Sequence, residues 1–364
     1  MKIFVTGTRG VPDIPGGVET HCQNLYPHIA AAGHEVHISR RTPYVTDELK
    51  DWQGIYLHDV FAPKSKALEA IIHTFLSVIK ARQLNVDIVH IHAVGPALLI
   101  PFARLLGLKV VFTNHGPDYD RQKWSRLPKA VLKLGEYMGG KFSNTNIVIS
   151  EVIRQIVGQR CKRDSVIIYN GVNINETNSC GDYLKSIGVK KNNYILAVAR
   201  FVPEKGLHDL IAAYARSGKN YDLVIAGDAD HEDEYSQSLK QLAKENGVKL
   251  TGYIGGDTLH QVFSHAALFV LPSYHEGLPI ALLEALGYGL NVLVSDIPAN
   301  LEVKLDKPHF FECGNVAALC DGMDLLLAQG TNEAYRQEIT TMLNTLYNWE
   351  KIAKQTVLEY EKLY

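Results

Sequence analysis

The stretch Leu271–Glu302, LPSYHEGLPIALLEALGYGLNVLVSDIPANLE, decides the fold. Just before it, the aliphatic run Leu268–Leu271 reads as a short buried strand. A loop holding Glu276 and Gly277 follows. A helix then starts near Pro279, a residue suited to the first helical turn because it needs no N–H there. Asn291–Ser295 is the next strand. Strand, loop, helix and strand within roughly 30 residues make the βαβ unit of a parallel sheet.

The same alternation extends in both directions. Upstream, Tyr194–Val198, Asp222–Ala226 and Lys249–Thr251 read as strands with helices between them. In the N-terminal half the strands are Lys2–Thr6, Glu35–Ser39, Ile88–His92, Lys109–Thr113, Ile147–Ser150 and Val166–Tyr169. Helical spacing is seen over His21–Ala32, Ala67–Lys80 and Ala97–Leu106. The fold class is therefore α/β with parallel sheets. Residues 173–193, rich in Asn, Gly and Lys, read as a linker between a domain over 1–172 and a second over 194–347. A final helix, 348–364, begins near Trp349. Ligands in such sheets bind beyond the carboxyl ends of the strands, here in a cleft between two similar units.

At 364 residues the length suits two domains. With 46% hydrophobic and 21% charged residues the chain is an ordinary globular one, and disorder is excluded. A net charge of −2 gives no reason to expect a nucleic-acid partner. That balance hides an asymmetry. Residues 1–185 carry 22 basic and 16 acidic side chains, against 15 and 23 in 186–364. Within 121–163 ten basic residues face only Glu136 and Glu151. In RLPKAVLKLGEYMGGKF (126–142), Leu127, Val131, Leu134 and Met138 recur at helical spacing beside Lys129, Lys133 and Lys141. Such a helix can lie on an anionic membrane surface, or its stripe can face the core. Five cysteines without a C-x-x-C pair, and no signal peptide, point to a reduced, cytoplasmic protein. The most apolar long stretch, 93–112, is interrupted by Pro96, Pro101, Arg104 and Lys109, which suits a helix and a buried strand better than a membrane span.

Two segments carry chemistry. The open N–H groups and dipole at the helix start near Pro279 make an anion site. Glu276 in the loop and Glu284 further along the helix can flank that anion, one holding sugar hydroxyls and the other a ribose. In AVARFVPEKG (197–206), Arg200 and Lys205 stand at the mouth of a parallel strand, where two cations can neutralise a diphosphate as its charge grows on leaving. Both segments also have plainer readings, as surface glutamates and exposed basic loop residues.

With these residues the chain resembles the retaining family-4 glycosyltransferases of GT-B fold, two Rossmann-like domains facing a cleft. Glu276 and Glu284 match the family's E-x7-E motif, and Arg200 and Lys205 its diphosphate cations. IAGD (225–228), LPSYHEGLP (271–279), LLEALGYG (282–289), VSDIP (294–298), TNHG (113–116) and GGVET (16–20) are further matches. The opening GTRGVPDIPGGVET is similar to a bacterial subfamily with rhamnosyltransferases of surface-polysaccharide assembly. The resemblance implies that Gly16 and Gly17 admit the donor diphosphate and the acceptor, and that His115 donates to a hydroxyl or phosphate near the transferring sugar. It implies that Gly277 lies in the donor loop, that Leu278, Pro279 and Ile280 form the phosphate-binding turn, and that Gly252, Tyr253 and Ile254 lie against the nucleobase. It also implies a UDP- or dTDP-sugar donor, no cofactor, a saccharide or undecaprenyl-diphosphate-linked acceptor, a site at the inner face of the cytoplasmic membrane, and a last helix that returns to the N-terminal domain.

Other signals are weaker. Asp228-Ala229-Asp230 has the form of a metal-binding D-x-D, but it follows IAG as an ordinary turn. His90 and His92 have no third ligand nearby in sequence, so they read as core or cleft-edge histidines rather than zinc ligands. Gly7-Thr8-Arg9-Gly10 is half of a dinucleotide fingerprint, followed by Arg40-Arg41 instead of an acid. An NADP-linked oxidoreductase, a nucleotide-sugar epimerase and a silent sugar-nucleotide subunit are the competing functions.

Overall fold

The computed structural model describes residues 1–65, 68–116, 119, 126–178, 180–218, 220–229 and 232–364. The chain divides into two units, Met1–Gly171 with Tyr347–Tyr364, and Val172–Leu346.

The first unit runs β1 (Lys2–Thr6), α1 (Gly17–Ala31), β2 (Glu35–Arg41), β3 (Asp51–Trp52), β4 (Ile55–Val60), α2 (Glu69–Gln83), β5 (Ile88–His92), α3 (Ile100–Leu105), β6 (Lys109–Asn114), α4 (Arg126–Phe142), β7 (Thr145–Val148), α5 (Glu151–Cys161) and β8 (Val166–Ile167). Its eight strands lie in the order β3-β4-β2-β1-β5-β6-β7-β8. All neighbours are parallel except β3 and β4. One core, with Ile3, Val5, Leu25, Ile29 and Ile38, lies between the sheet and α1. A second, with Phe4, Val78, Val89, Ile91 and Phe112, lies on the opposite face. Strands buried on both faces read as near-continuous apolar runs.

The second unit runs α6 (Asp182–Ser186), β9 (Tyr194–Val198), α7 (Leu207–Arg216), β10 (Asp222–Ala226), α8 (Glu234–Glu245), β11 (Lys249–Gly252), α9 (Gly256–Ser264), β12 (Leu268–Leu271), α10 (Ile280–Gly287), β13 (Val292–Ser295), α11 (Pro298–Leu301), β14 (Phe310–Phe311), α12 (Val316–Gln329) and α13 (Glu333–Leu346). Its six strands are all parallel, in the order β11-β10-β9-β12-β13-β14. The last helix, α14 (Trp349–Glu361), belongs to the first unit. Trp349, Ile352, Ala353 and Tyr360 join the core beneath α1. Leu358, an apolar residue of the same helix, is exposed.

Several boundaries differ from the sequence reading. Residues 173–193 are not a free linker. They belong to the second unit, where Leu184 is buried and the Tyr183 N–H donates to Gln261 Oε1 at 3.2 Å. Helix α1 begins at Gly17 rather than His21, because Glu19 in its first turn is anchored. The helix expected over 97–106 is a 3-10 turn, Pro96–Leu99, followed by α3. Pro101 has no N–H to continue the α-helical ladder across the join. Strands β3, β4 and β14 have no counterpart in the sequence reading. Helix α2 was expected from Ala67, which lies outside the described residues.

Candidate active site

In the second unit the loops after β9 and β12 meet. Arg200 lies two residues beyond β9, and a 3-10 turn, Pro203–Lys205, brings Lys205 forward. Gly206 closes that turn at φ +62°, and a Cβ there would stand 2.1 Å from the Pro272 carbonyl oxygen. The close approach lets the Tyr274 N–H donate to the Glu204 carbonyl at 2.9 Å. Lys205 Nζ then reaches Glu276 Oε1 at 2.6 Å, with both side chains mostly buried. The Ser273 hydroxyl donates to the same oxygen at 2.7 Å. Both bonds end on Oε1, which leaves Oε2 of Glu276 as the acceptor turned over to a ligand.

Glu276 is thus a fixed carboxylate on a supported turn. Ser295 donates to the Ser273 carbonyl, and Asn300 Nδ2 donates to Ser295 O and Oγ at 2.9 and 3.1 Å. The VSDIP string therefore braces the loop that carries Glu276. Gly277 is half-buried, and Leu278 is buried and pins the loop beneath α10. Helix α10 starts at Ile280, with Pro279 one position earlier at the cap. The Leu282 and Leu283 N–H groups donate to the Pro279 carbonyl at 3.1 and 3.2 Å, which leaves the N–H groups of Ile280 and Ala281 for the anion expected there. One and a half turns in, Glu284 is partly covered, and its carboxylate has no hydrogen-bond partner among the described residues. Burial pushes its pKa up to about 7. A buried carboxylate without donors is costly, and a ribose diol would supply two. Gly252, at φ +68°, accepts from Gly227 N at 2.9 Å, while Tyr253 is exposed and Ile254 half-buried beyond β11. The structure therefore brings together Lys205 and Glu276 and carries Arg200, Glu284 and the α10 start on the strand ends of the same unit.

Gly16, Gly17 and His115 belong to the first unit. Gly16 caps α1 at φ +145°, and a Cβ there would stand 2.0 Å from Glu19 Oε2. Glu19 Oε1 accepts from Arg9 N at 2.8 Å and Thr8 Oγ1 at 3.1 Å, tying the loop after β1 to α1. Gly17 is the exposed first residue of α1. His115 follows β6, half-buried, with Nε2 2.9 Å from His92 Nδ1.

Sequence missed the company His115 keeps. His21 from α1 and His92 from β5 stand beside it, and one ligand nitrogen of each of the three lies within 4.8 Å of the others. The third ligand absent from the neighbourhood of His92 in sequence is supplied by other elements. His90 stacks on His92 with ring centroids 4.2 Å apart, but its nitrogens are taken, Nδ1 by Tyr360 at 2.6 Å and Tyr26 at 2.9 Å and Nε2 by Thr113 at 2.7 Å. Ser273 was also missed, since an ordinary serine before Tyr274 carries no signal of its own. Asp228 is engaged by Lys240 Nζ at 3.0 Å and by Ala229 N at 2.8 Å, and Asp230 lies outside the described residues. Arg40 is buried against Asp47 and Asp59, and Arg41 pairs with Glu69. Neither guanidinium is left for the 2′-phosphate of NADP.

Residues 183–341 match the model of the Glycosyl transferases group 1, and residues 15–176 that of Glycosyltransferase Family 4. The chain belongs to the glycosyltransferases. It is 27% identical to an uncharacterized glycosyltransferase of Methanocaldococcus jannaschii, over 99% of this chain and 98% of that one. It is 24% identical to the O-antigen chain mannosyltransferase B of Escherichia coli, over 50% of each chain. Among solved structures it is similar to Anabaena HepE in complex with UDP-glucose, at a TM-score of 0.80 and 17% identity over 99% of each chain. That likeness is one of fold. The glycosyltransferase has the two parallel-sheet α/β units of the GT-B class.

Proposed function

We propose that this glycosyltransferase moves a sugar from a UDP- or dTDP-linked donor to a saccharide or undecaprenyl-diphosphate-linked acceptor in bacterial surface-polysaccharide assembly, with retention of anomeric configuration. The observation that carries this reading is the Lys205–Glu276 contact at 2.6 Å, beside the open start of α10. It sets a cation for the leaving diphosphate next to a carboxylate for the donor sugar. Arg200, Lys205 and the N–H groups of Gly277, Leu278, Ile280 and Ala281 stabilise the diphosphate. Glu276 Oε2 holds the sugar hydroxyls and Glu284 the ribose. Gly252, Tyr253 and Ile254 border the nucleobase. Gly16 and Gly17 admit the diphosphate and acceptor, and His115 bonds the transferring sugar. The acceptor oxygen attacks C1 from the face the diphosphate leaves, the C1–O bond to phosphate breaks, and the acceptor proton passes to the departing phosphate oxygen. The protein supplies position and charge. Arg200 and Lys205 do the work of a divalent ion at the diphosphate, so turnover survives chelation.

Helix α4 supports a peripheral site of action. Its glycines and Glu136 pack inward, with Gly135, Gly139 and Gly140 buried, so its larger side chains turn out. Leu127 is 75% exposed and Leu134 45% exposed, beside exposed Lys133 and Lys141, while Val131 and Met138 are half-buried. Among the described residues no helix is long and apolar enough to cross a membrane. We place the enzyme on the inner face of the cytoplasmic membrane, docked through α4. Arg121 and Lys123 of the basic segment lie outside the described residues. Release of nucleoside diphosphate from a panel of donors, with and without lipid-linked acceptor, tests the function. Acceptor-dependent release from a UDP- or dTDP-sugar is expected. Interconversion of donor sugars without acceptor would instead mark an epimerase.

A further inference from the structure

We propose that His21, His92 and His115 form a binding site for one divalent transition-metal ion of the zinc class. The three come from α1, from the end of β5 and from the loop after β6, so only the fold assembles them. One ligand nitrogen of each lies within 4.8 Å of the other two. The tightest pair, His92 Nδ1 and His115 Nε2, is 2.9 Å apart. Imidazole nitrogens sit about 2.0–2.1 Å from zinc, which sets neighbouring ligands roughly 3 Å apart. Small side-chain rotations therefore close the set around an ion.

The nitrogens on the far sides of two rings are already occupied as a metal site requires. Asn170 Oδ1 lies 2.8 Å from His21 Nδ1. An amide oxygen only accepts, so Nδ1 carries the proton and the lone pair is on Nε2. The Tyr26 hydroxyl lies 2.6 Å from His92 Nε2 and 2.9 Å from His90 Nδ1, and when it accepts from Nε2 and donates to His90, Nδ1 of His92 carries the lone pair for the ion. Outer partners of this kind fix the tautomer and orientation of metal-binding histidines. Trp349 closes the site with its ring 5.6 Å from that of His21. His21 and His92 are buried and His115 is half-buried, so the ion enters past His115.

Imidazole binds a metal ion through the lone pair of a deprotonated nitrogen. One proton lies between His92 Nδ1 and His115 Nε2. When the ion binds, that proton leaves the pair, and the imidazole that gave it up keeps neutrality by carrying a proton on its other nitrogen. Three imidazoles with no carboxylate or thiolate suit zinc, cobalt or nickel rather than magnesium or calcium. A three-histidine set leaves a coordination position open.

The site goes beyond the donor chemistry proposed above. It touches it only at His115, which an ion would withdraw from the sugar. Titration of the chelator-stripped full chain with zinc and with cobalt tests it by binding alone. One equivalent is expected to bind with micromolar or tighter affinity. Cobalt should give visible d–d bands without a sulfur charge-transfer band, which separates the site from the five cysteines. His21→Ala and His115→Ala should each abolish the bands, and Tyr26→Phe should weaken binding roughly 10- to 100-fold. Circular dichroism establishes that each variant is folded. Since His115 lies at a strand end, His115→Ala decides the matter if His21→Ala does not fold. Absence of stoichiometric binding, a thiolate band, or unchanged affinity in folded His115→Ala would overturn the site. Failure of the glycosyl-transfer assay would leave this result untouched.

Discussion

Lys205 and Glu276 are worth more together than as two loop residues, because each fixes the other in a geometry that a diphosphate sugar can use. Their 2.6 Å contact and the Ser273 bond hold Glu276 before the substrate arrives. Lys205→Ala and Glu276→Ala should each cut turnover at least about a hundredfold, the consequence of losing an electrostatic contact of about 3 kcal/mol. Both variants should stay folded but melt below wild type, since each leaves a mostly buried charged partner unpaired. Steady-state kinetics beside thermal melts check this, and a near-wild-type rate removes that residue from the mechanism. Glu284 makes a different prediction. Its pKa rises from 4.5 to about 7, so the folded chain holds a proton that the unfolded chain has released. Stability is then unpenalised below about pH 4.5, falls as the pH rises toward 7, and carries a full cost of roughly 3 kcal/mol above that. Glu284→Gln should raise the melting temperature at pH 8, leave it nearly unchanged near pH 4.5, and weaken UDP binding. An equal gain at both values would refute the burial argument.

At the scale of elements, the second unit shows why strand ends hold chemistry. Two loops on neighbouring strands meet only because Gly206 allows the Pro272 carbonyl to pass at a distance no Cβ tolerates. Gly206→Ala should cost about 2 kcal/mol and lower turnover by separating Lys205 from Glu276, with melting and kinetics read on the same preparation. This explains what was legible. Arg200, Lys205 and Glu276 stand out in sequence because a charge in a loop after a strand has few structural duties, and Glu284 stands out as the one charge in the apolar helix that follows. The α/β alternation is legible because buried parallel strands are uninterrupted apolar runs. Ser273 and the histidine trio are not legible, because their partners are distant in sequence and meet only after the sheets form. Strands β3 and β14 are two residues long and carry no periodicity. The outward stripe of α4 is legible only in part. The spacing of Leu127 and Leu134 is visible, but the direction they face is set by the glycines at 135, 139 and 140. At Gly139 a Cβ would stand 2.5 Å from the Phe112 ring, so that face must turn inward. Liposome co-sedimentation should then show binding to anionic but not neutral vesicles. Changing Lys129, Lys133 and Lys141 to Glu should abolish it, since each basic residue contributes about 1 kcal/mol at such a surface. Equal binding to both vesicle types would defeat the membrane reading.

At the scale of the whole molecule, the chain leaves its first unit at Gly171 and returns to it at Tyr347, so that unit is finished only when the last helix has been made. The seam is specific. Gly171 leaves no room for a side chain against the Trp349 ring, where a Cβ would stand 2.3 Å away. Tyr360 reaches His90 at 2.6 Å, and with Ile352 and Ala353 it completes the core beneath α1. Removing one buried aromatic of this size costs about 3–5 kcal/mol, a large part of the net stability of a domain. Among the described residues, the buried cluster around Ile195 and Ala197 in the second unit runs between residues 195 and 326 and includes none from α14. A chain ending at Leu346 should therefore lose the cooperative unfolding of residues 1–171 while residues 172–346 stay folded. Limited proteolysis should cut the first region quickly and leave the second resistant, and UDP should still raise the melting temperature of what remains. Trp349→Ala in the full chain should show a milder form of the same asymmetry. Equal protease sensitivity in both regions would mean that α14 supports the two units alike, and retained cooperativity of 1–171 would mean that it supports neither.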